Sequence, residues 1–253
     1  MRDIAYPPVI LTAKAGFKAL GLKFLMTGTE HIPRLGGAVL SFNHISYVDF
    51  LFGGFAAQPS GRLVRFMAKR ELFDHKISGP LMRSLHHICV DRNEGSASYR
   101  TALEYLRAGE VVGIFPEATI SRSFVLKDFK NGAARLASAT GVPLIPITLW
   151  GTQRILTKDH ARDLSRGKTI AITIGPPVET TRGQADADTE RVRVAMSELL
   201  DQTIRSYPTD GVGQWWLPAA YGGTAPTPER ALELDAEEAR RRAARRRTEG
   251  SGR

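Results

Sequence analysis

The sequence predicts an α/β fold: a mostly parallel central sheet flanked by helices, preceded by an N-terminal membrane-associating helical segment. Two observations support this prediction. Short apolar runs alternate with helical patterns along most of the chain, which favours parallel strands covered on both faces. The length of 253 residues also suffices for one α/β domain with a sizeable core.

Residues 1–28 are predicted to form an amphipathic, membrane-associating segment. Lys14 and Lys18 share one face of the predicted helix because they are four residues apart. A basic stripe beside a broad apolar face suits a helix that lies in a bilayer interface. The alternative is an ordinary helix that docks on the core, and Gly16 and Gly21 weaken the prediction of a helix here.

Residues 29–208 are predicted to form the main domain, because apolar runs bounded by Pro and Gly repeat there at the rhythm of strands and helices. One further strand, over residues 22–26, is predicted within the N-terminal segment. The predicted strands cover residues 22–26, 38–42, 63–68, 87–90, 111–115, 143–149 and 168–174. The predicted helices cover residues 51–55, 75–85, 96–108, 132–140 and 189–206.

Residues 209–253 differ in composition from the rest of the chain. They begin with a segment rich in Pro, Gly and aromatic residues, including Trp215 and Trp216, and end in a mixed-charge run with arginine clusters. The run predicts either a surface helix or a disordered tail. The tryptophan pair indicates packing onto the main domain, with an interfacial belt as the alternative.

The net charge of +9 indicates an anionic partner: a membrane surface, a phosphorylated substrate or nucleic acid. Cys89 is the one cysteine, so no intramolecular disulfide forms, and one Cys with six His gives no zinc pattern. The N-terminal residues lack the pattern of a cleavable signal peptide. No uncharged apolar run reaches the roughly 18–20 residues of a spanning helix. We therefore expect a protein that lies on a membrane without crossing it.

His44 and Asp49 are the candidate catalytic pair. His44 follows a predicted strand, and a turn can fold Asp49 back toward the imidazole. The carboxylate would then fix the tautomer and stabilise the imidazolium that forms when His44 takes a proton. Ser41 and Ser46 lie nearby, but neither sits in the Gly-x-Ser-x-Gly elbow of a serine nucleophile.

Ionisable residues follow four consecutive predicted strands. His44 ends the first of these, Lys69 the second, Arg92 the third and Glu117 the fourth. In open α/β sheets, ligands bind beyond the carboxyl ends of the strands. A basic site with one His–Asp pair and no metal set suggests transfer onto a hydroxyl group of a phosphate-bearing acceptor, since a guanidinium pairs two phosphate oxygens at once.

Four ordered motifs resemble those of the glycerolipid acyltransferase family, which includes 1-acyl-sn-glycerol-3-phosphate (lysophosphatidate) acyltransferases. The resemblance covers roughly residues 36–150. The matching stretches are Asn43-His44-x4-Asp49, Ile88-Cys-Val-Asp-Arg92, Phe115-Pro-Glu-Ala-Thr-Ile-Ser121, and Lys130-Asn-Gly-Ala-Ala134 with Val142-Pro-Leu-Ile-Pro-Ile147.

The resemblance implies an enzyme that forms phosphatidate at the cytoplasmic face of the cell membrane, where it is bound peripherally. The substrates would be lysophosphatidate and an acyl thioester of coenzyme A or of acyl carrier protein, with no bound cofactor or metal. The resemblance does not imply a nucleic-acid partner. In that family His44 would be the general base and Asp49 its orienting partner. The acceptor site would comprise Arg92, Glu117, Thr119, Arg122 and Lys69.

Three positions depart from the family pattern. Ala118 and His86 replace glycines, and we expect the turn at Ala118 to avoid positive φ because it carries a Cβ. Ile120 replaces the usual Arg, so Arg122 is predicted to take over the phosphate contact. An altered acceptor, either another lysolipid or a polyol, is the competing explanation. A further alternative is a non-catalytic basic protein that binds membrane or nucleic acid through its arginine tail.

Overall fold

The computed structural model describes residues 3–91 and 95–250; residue 95 and residues 245–250 are described by their backbone alone. The chain forms two compact units. The first comprises Met1–Ile120 and Leu126–Thr209, and the second comprises Ser121–Val125 and Asp210–Arg253.

A seven-stranded sheet forms the centre of the first unit. Its strands are β1 (Lys23–Thr27), β2 (Ala38–Phe42), β3 (Val64–Lys69), β4 (Ile88–Val90), β5 (Val111–Ile114), β6 (Leu144–Trp150) and β7 (Thr169–Ile174). Their order across the sheet is β1-β7-β6-β2-β5-β3-β4. Strands β6, β2, β5, β3 and β4 run parallel, β7 is antiparallel to β6, and β1 is parallel to β7. The prediction of a mostly parallel sheet is thus confirmed.

The helices occur in the predicted order, with one short helix in addition. They are α1 (Tyr6–Ala19), α2 (Asp49–Ala56), α3 (Arg70–Asp74), α4 (Ser78–Ser84), α5 (Gly95–Arg107), α6 (Gly132–Thr140), α7 (Ala185–Arg205) and α8 (Pro228–Gly250). The short helix α3 was not predicted, and the helix predicted over residues 75–85 is present as α4, which begins at Ser78. Pro80 has no N–H to donate and its ring clashes with the carbonyl four residues earlier, so a helix cannot continue through it from Lys76.

Each face of the sheet is covered by its own apolar cluster. In β2, Leu40 and Phe42 belong to one cluster, and Val39 belongs to the other, as the alternation of side chains along a strand requires. The first cluster includes residues of α1 and α2, and the second includes residues of α5, α6 and α7. The prediction of a sheet flanked by helices is confirmed.

Helix α1 is attached to the sheet domain at both ends. The ring of Phe17 stacks on Phe52 with 5.0 Å between centroids, and the Tyr6 hydroxyl donates to the Val64 carbonyl at 2.8 Å. Lys14 and Lys18 are exposed. Among residues 3–91 and 95–250, no helix has the length and apolar character needed to span a bilayer.

The second unit contains α8, the helical alternative of the two predicted for the C-terminal run. Trp216 is buried, and Trp215 makes an edge contact with Phe124 at 6.2 Å between ring centroids. Packing of the two indoles onto the main domain stays a prediction.

Candidate active site

The parallel strands bring the polar residues that follow them to one edge of the sheet. Strands β2, β3, β4 and β5 share one direction, so their carboxyl ends, with His44, Lys69, Asp91 and Glu117 at or just after them, lie at the same edge. We call this the carboxyl edge. It is the edge at which open α/β sheets bind ligands.

His44 and Asp49 pair directly at this edge. Asp49 is the first residue of α2, where the helix dipole favours an acidic side chain. Its Oδ2 atom lies 3.0 Å from His44 Nδ1 and also accepts the backbone N–H groups of Ile45 at 2.8 Å and Ser46 at 2.7 Å. The turn between β2 and α2 is therefore closed around a carboxylate with no exposed surface.

This arrangement determines which nitrogen of His44 can act as a base. Asp49 Oδ2 already accepts two backbone N–H groups, so the hydrogen of the third contact lies on His44 Nδ1. The other ring nitrogen, Nε2, keeps its lone pair. The imidazole is 22% exposed and packs against the Phe115 ring, with 4.4 Å between centroids. His44 thus presents a fixed, partly accessible imidazole.

The chain after β6 supports the same turn from the other side. Thr152 Oγ1 donates to Asp49 Oδ1 at 2.6 Å, and both residues are fully buried. Asn43 is joined to Leu149 by two hydrogen bonds, its Nδ2 donating to the carbonyl at 3.0 Å and its Oδ1 accepting the N–H at 2.7 Å. These two contacts connect the ends of β2 and β6.

Two hydroxyl groups add further contacts between the histidine turn and residues 156–157. Ser46 Oγ donates to the Leu156 carbonyl at 2.6 Å, and Thr157 Oγ1 donates to the Ile45 carbonyl at 2.7 Å. Sequence reasoning missed Thr152 and Thr157, because both lie after the last motif. A small polar residue two positions after a mostly apolar strand was the one signal available for Thr152.

Glu117 supports the histidine backbone. Its Oε1 accepts the N–H of His44 at 2.8 Å and its Oε2 accepts the N–H of Lys127 at 3.1 Å. The carboxyl group is buried, and burial raises its pKa to about 8, although the two amides favour the charged form and lower the pKa. Glu117 thus joins two loops at the carboxyl edge. Its part in binding the acceptor stays a prediction.

Comparison with known proteins identifies the family. A family model described as Acyltransferase matches residues 23–150. The 1-acyl-sn-glycerol-3-phosphate acyltransferase of Bacillus subtilis is 30% identical over 198 residues, which are 78% of this chain and 90% of that protein. This chain belongs to the acyltransferase family. The enzyme of the same name from Borreliella burgdorferi is 27% identical over 166 residues, 64% of each chain.

The fold agrees with this assignment. The crystal structure of the 1-acyl-sn-glycerophosphate acyltransferase PlsC from Thermotoga maritima matches with a TM-score of 0.67 and 25% identity, over 81% of both chains. The present chain is accordingly an acyltransferase enzyme, and the alternative of a non-catalytic basic protein is set aside.

The remaining acceptor-site candidates of this acyltransferase lie in different surroundings. Arg92 lies outside the described residues. The preceding Asp91 pairs with Arg70, its Oδ2 lying 2.7 Å from the guanidinium Nε. Lys69 is exposed at the end of β3. Thr119 is half-buried and accepts a hydrogen bond from Lys158 Nζ at 3.2 Å. Lys158 is a cation at the carboxyl edge that sequence reasoning did not select.

Arg122 has partners that the sequence analysis did not anticipate. Within the second unit, its guanidinium pairs with Asp235 and Glu238 of α8, at 3.0 Å from Nη2 to Oε2 of Glu238. The side chain is 6% exposed. Two carboxylates therefore hold the guanidinium that was expected to bind phosphate, and phosphate binding by Arg122 stays a prediction. Ile120, at the position of the usual family Arg, is buried.

The expectation that Ala118 avoids positive φ is wrong. Ala118 has φ of 57°, and His86, the other residue that replaces a family glycine, has φ of 53°. The turns keep the left-handed conformation although the residue carries a Cβ. For an L-residue this conformation costs roughly 1–2 kcal/mol, which the surrounding structure must offset. Ala118 N–H donates to the Phe115 carbonyl at 3.0 Å, closing the turn that carries Glu117.

Among residues 3–91 and 95–250 whose side chains are described, no three His, Cys, Asp or Glu residues lie close enough to hold an ion. The polar groups at the carboxyl edge are instead a base with its carboxylate, a buried carboxyl group and several cations, which fit proton transfer next to an anionic acceptor.

Proposed function

We propose that this acyltransferase transfers an acyl chain from an acyl thioester to the free hydroxyl group of 1-acyl-sn-glycerol-3-phosphate, forming phosphatidate. The single observation that carries the proposal is the His44–Asp49 pair, which leaves Nε2 of a partly exposed imidazole as a base at the carboxyl edge. The names of the relatives from Bacillus subtilis and Thermotoga maritima support the same acceptor.

The proposed reaction is direct transfer with His44 as general base. Nε2 removes the hydroxyl proton while the acceptor oxygen attacks the thioester carbonyl carbon, forming the new C–O bond. The imidazolium is stabilised by Asp49, whose carboxylate is already in place. When the tetrahedral intermediate collapses, the C–S bond breaks, and the proton on Nε2 neutralises the leaving thiolate.

The acceptor phosphate would be held by cations at the carboxyl edge. We assign this role to Arg92, supported by Lys69 and by Lys158, whose Nζ lies 3.2 Å from the Thr119 hydroxyl. The thioester would be presented by coenzyme A or by acyl carrier protein. The chain would work at the cytoplasmic face of the cell membrane, bound peripherally, since its acceptor is a lipid.

A second acceptor class is favoured by one observation. Ile120 is buried and apolar where the family usually carries an Arg, so one phosphate contact of the family is absent at this position. An acceptor that lacks the phosphomonoester, either another lysolipid or a polyol, would fit this change.

The test is a product assay with a panel of thioesters and acceptors, read by mass detection. We expect lysophosphatidate to be acylated, and His44→Ala and Asp49→Asn each to lower kcat about 10²–10⁴-fold. His31→Ala is the matched control, because His31 follows β1 at the opposite edge and bonds the Ile174 carbonyl. Unchanged turnover in folded His44→Ala would refute the mechanism. Acylation of polyols or other lysolipids alone would select the second acceptor class.

A further inference from the structure

The α3–α4 hairpin, residues 70–84, lies directly beside the candidate active site. Helix α3 begins at the residue after β3, so the hairpin starts at the carboxyl edge that also carries His44. The Arg70–Asp91 ion pair at 2.7 Å joins the start of the hairpin to the end of β4. The hairpin is therefore fixed next to the strand end that precedes Arg92.

The hairpin exposes three large aliphatic side chains within ten residues. Ile77 is 82% exposed, Leu72 47% and Leu81 39%. Single exposed apolar residues are common, but a group of three on one small element indicates a surface that contacts something apolar. The buried side chains of Phe73 and Met82 already secure the hairpin to the domain, so the three exposed ones are not needed for its own packing.

The turn that presents Ile77 is held in a defined conformation. His75 Nδ1 accepts the backbone N–H groups of Ile77 and Ser78 at 3.3 and 3.4 Å, and Ser78 Oγ donates to the Leu72 carbonyl at 2.7 Å. At Gly79 the two helices approach so closely that a Cβ would lie 2.1 Å from the Phe73 carbonyl oxygen. Exposure of Ile77 is thus imposed by hydrogen bonds and close packing.

The charges around these apolar tips favour an anionic surface. Lys76 directly precedes Ile77, and both side chains are exposed in the turn. The hairpin and the residue before it carry four cations and two carboxylates, in a chain with a net charge of +9. These residues are Lys69, Arg70, Lys76 and Arg83, with Glu71 and Asp74. Apolar side chains that enter the acyl boundary, with cations at headgroup level, are how peripheral elements bind anionic bilayers.

We propose that the α3–α4 hairpin docks on an anionic bilayer, with Ile77 inserted and Lys76 at the headgroups. Docking would bring the carboxyl edge, with His44, to the lipid surface. Tyr47, half exposed and three residues after His44, lies at this edge too. The inference rests on the proposed function, because a lysolipid acceptor resides in the membrane. It also differs from the sequence-based prediction, which assigned membrane association to α1.

The test measures co-sedimentation with vesicles of phosphatidylcholine alone or mixed with phosphatidylglycerol. We expect Ile77→Asp to weaken binding to the mixed vesicles about tenfold or more, since it replaces an aliphatic group that would enter the bilayer by a charge. Lys76→Glu should weaken binding to the mixed vesicles only. Leu35→Asp is the matched control, because Leu35 is 88% exposed in the loop before β2, at the opposite edge of the sheet.

Each outcome has one meaning. Wild-type binding by folded Ile77→Asp overturns the proposal, and Ile77→Ser provides a second variant should the charged one fail to fold. Loss of binding in Leu11→Asp alone, on the exposed surface of α1, would overturn it in favour of that helix. A change from dimer to monomer in Ile77→Asp with unchanged vesicle binding would assign the hairpin to a second copy of the chain. If lysophosphatidate is not acylated but Ile77→Asp still loses vesicle binding, the proposed function fails and the docking surface stands.

Discussion

Thr152 Oγ1 donates a hydrogen bond of 2.6 Å to Asp49 Oδ1, although 103 residues separate the two positions. Both oxygens of Asp49 thereby accept hydrogen bonds, because His44 and two backbone N–H groups donate to Oδ2. Because Asp49 is fully buried, each donor replaces hydration that burial has removed. Thr152 therefore helps to hold the carboxylate that pairs with His44.

We predict that Thr152→Val lowers kcat about tenfold or more and leaves KM nearly unchanged. The substitution keeps the volume but removes the hydroxyl donor, which leaves a buried carboxylate oxygen unsatisfied at a cost of about 1–3 kcal/mol. The kcat–pH profile should shift as well, because the carboxylate next to the imidazole loses one of its hydrogen-bond donors. Thr152→Ser restores the donor and should recover both values. If Thr152→Val keeps the wild-type kcat and pH profile, Thr152 contributes to the stability of the fold and not to catalysis.

The second prediction concerns pH and Glu117. Burial raises the pKa of its carboxyl group in the folded protein from the ordinary 4.5 to about 8. Between these values the folded chain holds a proton that the unfolded chain has released, so the free energy of unfolding falls as pH rises. We expect Glu117→Gln to reduce this fall between pH 6.5 and 8, by at most about 1.4 kcal/mol per pH unit.

Chemical unfolding of wild type and variant at a series of pH values measures the effect. Burial lowers the pKa of His87 from its ordinary value of 6.5 to about 4. His87 therefore makes stability depend on pH only below about pH 6.5, and the window begins there. Parallel curves for the two proteins across the window would mean that Glu117 is already charged at pH 6.5.

The third prediction concerns Ala118 and His86, two residues with positive φ that replace glycines of the family pattern. We expect Ala118→Gly and His86→Gly each to raise the free energy of unfolding by about 0.5–1 kcal/mol. Relief of roughly 1–2 kcal/mol of strain is offset in part by the greater freedom of glycine in the unfolded chain. Ala139→Gly, on the exposed face of α6, is the control and should lower the free energy by about 1 kcal/mol. Lower stability of both turn variants would show that the side chains contribute packing that exceeds the strain.

The fourth prediction separates two roles of Arg122. Because its guanidinium pairs with Asp235 and Glu238, we expect Arg122→Ala to speed hydrogen exchange of the α8 backbone about tenfold, since two half-buried carboxylates lose their counter-charge. Arg230→Ala removes an exposed pair on the same helix and should have a smaller effect. Unchanged exchange together with a raised KM for lysophosphatidate, but not for the thioester, would make Arg122 a phosphate ligand instead.

Local patterns in the sequence were enough to predict the strands, most helices and the His44–Asp49 pair. Strand β2 and helix α6 begin and end where they were predicted, because each is bounded by glycine or by a polar turn within a few residues. The pair was predictable for the same reason, since five residues of turn suffice to bring a carboxylate back to an imidazole.

The sequence by itself determined the chemical groups of the site and the edge of the sheet at which they lie. Only the tertiary structure decided their partners: Thr152 for Asp49, the amides of His44 and Lys127 for Glu117, and the carboxylates of α8 for Arg122. The physical reason is that burial makes ionisable groups take the donors and acceptors that packing brings within hydrogen-bonding distance. Those neighbours come from segments that are distant in sequence, and the local spacing of residues does not predict which distant segments will meet.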